Sequence, residues 1–167
     1  AGLPDQSSGD PTVDVWGLRA RLDWEDLLQL ADARLSPYAD LTYSRATVDA
    51  YSETGGGFPA RFEQRRETAT ELRLGVNAEK PLADAVSLVG MLEAAHRFER
   101  HGARTQGEII GIFDFDVEGH RNQRDWLHAA IGVQGRLAGG QASLMLHTTT
   151  QGETPAYWLG ASWQRSF

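Results

Sequence analysis

Eight charged side chains stand at alternate positions among apolar residues: Arg19, Arg21, Glu71, Arg73, Glu79, Glu93, Arg97 and Arg136. Side chains two residues apart leave the same face of a β-strand. The spacing therefore collects guanidinium and carboxylate groups on one side of a sheet. Such groups can pair across strands, each pair contributing about 0.2–1 kcal/mol. They can also line the path of a polar chain, and the two roles are compatible. Cross-strand pairing alone accounts for their presence. Among the five histidines, His128 and His147 share the charged face of neighbouring segments and read as polar lining. His96 falls on the apolar face near a segment end, an interfacial position. A zinc site needs three or four converging ligands, and no local spacing supplies them, so no metal is expected. Phosphate-cradling and dinucleotide glycine patterns, the nucleophile elbow and the paired-histidine zinc motif are all missing. Gly55-Gly56-Gly57 reads as a flexible stretch of a polar loop. The chain is expected to be no enzyme and to carry no cofactor.

The elements that place these charges are read from strict alternation, the mark of a strand with two unlike faces. Within residues 13–24, Trp16, Leu18, Ala20, Leu22 and Trp24 alternate with Gly17, Arg19, Arg21 and Asp23. Residues 35–47, 70–80, 86–98, 127–137, 141–149 and 157–167 repeat the pattern, making seven strands. Each is about 10 residues or longer, against a usual five or six. Aromatic residues Trp16, Trp24, Tyr43, Phe98, Tyr157 and Phe167 stand toward segment ends, where the aromatic girdles of membrane barrels lie. A soluble antiparallel sheet also alternates, but strand length, girdle positions and the charged face together favour a transmembrane barrel.

The composition is 41% hydrophobic over 167 residues with a net charge of −7 and no cysteine. No apolar run approaches the roughly 18 residues of a membrane helix, which leaves a barrel untouched because only alternate residues of its strands face lipid. The acidic balance argues against nucleic acid, whose binders present a basic face. Residues 1–12 read as a polar loop or linker remnant and residues 13–167 as one outer-membrane barrel domain, in part.

Residues 80–84 and 137–140 are tight connections, whereas residues 50–67 and 99–125 are long and polar. Barrels have short periplasmic turns and longer outer loops. With a periplasmic C-terminus, residues 99–125 form one outer excursion, so residues 105–117, despite their strand-like composition, read as a flap or hairpin within it. Residues 25–34, with Leu27, Leu28, Leu30 and Ala33 at helical spacing, predict a short periplasmic helix. Seven spanning strands are an odd number, while single-chain bacterial barrels use even numbers, so upstream strands are expected.

The sequence resembles the C-terminal translocator domain of bacterial autotransporters. The likeness runs through Leu35-Ser36-Pro37-Tyr38-Ala39-Asp40-Leu41-Thr42-Tyr43, Val48-Asp49-Ala50-Tyr51, Arg65-Arg66-Glu67-Thr68 and residues 125–133, and ends on Phe167. The resemblance implies an all-β, antiparallel, up-and-down transmembrane barrel of twelve strands, of which this chain holds the last seven or eight. It implies an outer-membrane anchor in the type V secretion pathway that assists export of a passenger linked upstream. Outer-membrane lipid and the barrel-assembly machinery are the implied partners. Leu159, Ala161, Trp163 and Phe167 match the terminal assembly signal, with Arg165 standing where an aromatic residue is common. Two alternatives remain open: a small eight-stranded structural or porin-like barrel, which needs residues 105–117 to span, and a soluble lipocalin-like barrel with its apolar faces inward.

Overall fold

The computed structural model describes residues 6–151 and 156–165, and every regular element among them is a β-strand. In chain order these are β1 (Val13–Asp23), β2 (Leu28–Leu30), β3 (Ala33–Val48), β4 (Tyr51–Ser52), β5 (Ala60–Phe62) and β6 (Arg65–Ala83). There follow β7 (Val86–Arg97), β8 (Thr105–Ile109), β9 (Phe113–Val117), β10 (Asp125–Leu137), β11 (Gly140–Thr149) and β12 (Tyr157–Gln164). The main sheet runs β1-β3-β6-β7-β10-β11-β12, with β2 added against β3. Its seven long strands are the seven alternating segments, in the sequential antiparallel order of an up-and-down sheet.

The distribution of exposure is the reverse of a sheet in water. Leu18, Leu74, Ile131 and Leu159 are 68%, 54%, 58% and 66% exposed, whereas Asp40, Glu93 and Trp126 retain 1%, 5% and 4%. A soluble antiparallel sheet covers its apolar face and wets the other. The lipocalin-like alternative requires covered apolar faces, and here they are bare. Trp16, Trp24, Phe98 and Tyr157 are also exposed, Trp16 leaning on Tyr43 with ring centres 5.2 Å apart. Phe167 lies outside the described residues.

Residues 25–34 form no helix. Asp26, Ala31 and Asp32 adopt φ of 48°, 48° and 66°, a left-handed conformation that no right-handed helix accommodates. The segment instead continues as β2, pairing Leu28 with Leu35 and Leu30 with Ala33. Ala31-Asp32 form the two-residue turn, whose positive φ values follow the twist of a hairpin. A short helix gains stability chiefly by packing an apolar face, and Leu27, Leu28 and Leu30 are exposed. Pairing with β3 satisfies the backbone groups without such a face.

Residues 105–117 form the hairpin β8–β9, outside the main sheet. A second sheet runs β4-β5-β8-β9, so the eight-stranded alternative lacks the spanning strand it requires. The loop of residues 50–67 contributes β4 and β5 to this sheet. Gly55 and Gly56 turn the chain between them at φ of 80° and 70°, conformations that glycine adopts without strain. Gly55 and Gly56 of the glycine run thus supply the turn between β4 and β5. One face carries Tyr51, Phe62 and Phe115, Phe62 stacking on Tyr51 with ring centres 4.8 Å apart and meeting Phe115 edge-on at 5.6 Å. The other holds Arg61–Glu108 at 3.3 Å and Arg104–Asp116 at 2.9 Å.

Contact density divides the chain into two units. One comprises the described residues up to Leu18 with Thr42–Thr70 and Glu99–Asn122 and contains the second sheet. The other comprises Arg19–Leu41, Glu71–Phe98 and the described residues from Gln123 onward, and it holds the groups described next.

Candidate functional site

The polar face of the main sheet carries a continuous belt of hydrogen bonds, ion pairs and ring contacts. On β1, Arg19 donates from Nε to Asp40 Oδ2 of β3 at 2.8 Å, with a second contact through Nη2. Arg21 donates to both oxygens of Asp23, from Nε at 2.9 Å and from Nη2 at 2.8 Å. Its guanidinium also lies 4.0 Å from the centre of the Tyr38 ring. Alternation on β3 puts Tyr38 and Asp40 side by side on this face.

Tyr38 reaches across the sheet. Its hydroxyl donates to Glu93 Oε2 on β7 at 2.6 Å, and its ring lies over Gly75 of β6. A Cβ at Gly75 would stand 2.6 Å from Tyr38 Cε1, so only a residue without one admits the ring. Glu93 accepts from Arg73 Nη1 at 2.9 Å, while Arg73 Nη2 donates to Glu71 at 3.0 Å. Glu71 also accepts from Arg97 Nε at 3.0 Å. The Arg73 and Arg97 guanidiniums lie 5.6 and 5.9 Å from the Trp126 ring centre. Trp126 Nε1 is buried with no hydrogen-bond partner among the described residues.

The belt continues to the last strand. His128 Nδ1 lies 3.8 Å from Glu93 Oε1, and its Nε2 lies 3.1 Å from His147 Nδ1. The His147 ring stacks on Trp158 at 4.9 Å with 4° between the planes. Among the described residues no three acidic or histidine groups converge to hold a metal ion.

Of the eight charges singled out by alternation, Arg19, Arg21, Glu71, Arg73, Glu93 and Arg97 join this belt. Glu79 pairs instead with Arg34 at 3.1 Å. Arg136 lines a recess with Arg34, Glu79, Gln134 and Gln164. His96 holds Asp125 at 2.7 Å and meets Phe98 edge-on at 4.9 Å. On β12, Leu159 and Trp163 are exposed on the apolar face, and Trp163 Nε1 donates to the Leu137 carbonyl at 3.0 Å. The reading by residue type missed Tyr38, Asp40 and Trp126 as centres of the network. Parity marks Tyr38 and Asp40 as polar-facing, but Trp126 precedes the segment recognised as alternating, and its burial has no sequence mark.

Gly75→Ala is expected to displace the Tyr38 ring and cost about 1–3 kcal/mol, the usual range for overpacking a filled site. Urea unfolding of Gly75→Ala, Tyr38→Leu and the double variant checks this. The double variant should be less destabilised than the sum of the singles, because both act on one contact. Additive losses would mean that the ring does not rest on Gly75.

No curated protein matches the chain. The sequence profile of the autotransporter β-domain matches residues 1–149, through the last residue of β11. With that match, and with the antiparallel order and bare apolar face such a barrel requires, the chain belongs to the autotransporter β-domain family, whose members are translocators of the bacterial outer membrane.

Proposed function

We propose that the chain anchors a longer polypeptide in the outer membrane and assists export of a passenger joined to its N-terminal side, the polar belt lining the route. The observation that carries this reading is the pairing within the belt. Asp23, Asp40, Glu71 and Glu93 each meet a guanidinium, drawn from Arg19, Arg21, Arg73 and Arg97. Such a lining holds its own side chains in place and presents no net charge, which suits a polypeptide of arbitrary sequence. The apolar face meets lipid. Leu159, Ala161, Trp163 and Phe167 serve as the strand-end pattern read by the assembly machinery.

The test is a reporter fused at the N-terminal side of the whole barrel, in the longer polypeptide that carries this chain, in cells, with surface exposure read by external protease. The intact domain should bring the reporter to the surface, and a reporter held in the periplasm by a folded domain would sink the proposal. Asp40→Asn keeps an acceptor for Arg19 and leaves that guanidinium without its counter-charge, so the lining gains a net positive charge. The variant should leave folding intact, read as heat-dependent gel migration, and slow export several-fold.

A further inference from the structure

We propose that Arg136 and the amides around it form an entry collar that takes an extended, acidic segment of polypeptide. The inference rests on the translocator reading and names what the mouth of that route prefers. Register lays out the polar face in rows from the belt toward the tight turns. Val89, Gly132, Met145 and Gly160 form a small, apolar row across β7, β10, β11 and β12. The next row is Ser87, Gln134, Ser143 and Ser162, and the last is Arg136, Gln141 and Gln164. Neighbouring strands lie about 4.8 Å apart, which sets the heads of each row side by side. Ala85 and Gly139 of the two tight turns line the same recess. Short turns mark the periplasmic end of a barrel, the side from which a passenger enters.

The charge balance changes between belt and collar. Arg19, Arg21, Arg73 and Arg97 of the belt each meet a carboxylate. The Arg136 guanidinium has no ion pair or hydrogen bond among the described residues, although its backbone N–H donates to the Ala85 carbonyl at 3.2 Å. Glu79 and Asp84 line the recess with it. Glu79 is held by Arg34 at 3.1 Å, and Asp84 makes no ion pair with Arg136. The strands beside Arg136 belong to this sheet: β10 pairs with β7 and β11, and β11 with β10 and β12. Its freedom in the wall is therefore set by residues of this chain on both sides.

The chemistry of the collar fits a peptide. A guanidinium is a planar fork that holds a carboxylate through two parallel hydrogen bonds. A glutamine amide both donates and accepts, as a peptide group does, so Gln134, Gln141 and Gln164 suit the backbone of a passing chain whatever its sequence. Ser143 and Ser162 bond each other at 2.8 Å, leaving the amides as the free heads. Arg136 adds the preference for aspartate or glutamate, which the neutral belt does not supply.

The experiment uses the longer polypeptide that carries this chain, in cells, with a reporter halted partway through export by a disulfide-bonded fold. A photo-crosslinking side chain replaces Ser87, beside Gln134, and the segment held in the barrel carries either Gly-Ser-Asp or Gly-Ser-Asn repeats. Crosslinks to the Asp segment should exceed those to the Asn segment up to about fivefold, the worth of one exposed ion pair. Arg136→Gln should erase the difference. Equal yields for the two segments with Arg136 in place would overturn the collar. A difference that survives Arg136→Gln would overturn it as well, and lost heat resistance in that variant would then assign Arg136 to a carboxylate of the wall. The comparison of segments with Arg136 in place decides the matter even where Arg136→Gln does not assemble. Failure of the translocator reading is distinct, since the reporter without its disulfide would then stay in the periplasm, whereas a collar that fails alone leaves it exported.

Discussion

Glu93→Ala is expected to lower the free energy of unfolding by about 3–5 kcal/mol, the range seen when one member of a buried charge pair is removed. Glu93 is 5% exposed and accepts from Tyr38 at 2.6 Å and from Arg73 at 2.9 Å, with His128 beyond. Its removal strands the Tyr38 hydroxyl and half of the Arg73 fork inside the sheet. Arg73 keeps Glu71 at 3.0 Å, which places the loss toward the lower end. Glu93→Gln preserves shape and one acceptor, so its cost should fall to about 1–3 kcal/mol, that of an imperfectly satisfied buried group. Urea titrations of both variants in micelles check the order, with the slope unchanged if only stability moves. An alanine variant as resistant to urea as the unsubstituted chain would remove Glu93 from the centre of the belt.

Ile131→Arg is expected to cost about 2–4 kcal/mol when the domain is folded in a lipid bilayer, the penalty for a cation on the lipid face near the midplane. Ile131 stands at the middle of β10, 58% exposed on the apolar face, opposite Gly90 and Leu146. Facing water, the same change would fall within about 0.5 kcal/mol, as surface substitutions usually do. Leu137→Arg, at the end of β10, should cost about 0–1 kcal/mol, since the penalty fades toward the interface. Stability in bilayers for the two variants reads the depth profile directly. Equal costs at both positions would contradict a lipid-facing strand.

Much of the fold is legible because a two-residue period survives without any knowledge of neighbours. All seven long strands and the orientation of their faces follow from it. The period fails where short apolar runs suit either repeat. Leu27, Leu28, Leu30 and Ala33 match a helix in spacing, yet positive φ at Asp26, Ala31 and Asp32 turns them into β2 and its hairpin. In residues 105–117 the alternation looks mixed because Ile110 and Ile112 flank the turn at Gly111, φ 77°, between β8 and β9. Topological reasoning still read that stretch as a hairpin within an outer excursion.

The candidate site divides in the same way. Residue type and parity marked the six belt charges, and the same parity covers Tyr38 and Asp40, although their importance rests on what they touch. Tyr38 meets Glu93 across 55 residues of sequence, and Arg73 meets Glu93 across 20. Which face a side chain leaves is a local matter of backbone geometry, and the sequence by itself determined it, together with the number of long strands and the polarity of each face. Which charge meets which, that Gly75 receives the Tyr38 ring, and that His128 touches His147 and Trp158 were decided by the tertiary structure. The physical reason is register: lateral strand pairing joins residues far apart in the chain, and a two-residue repeat repeats too often to say which of its periods will align.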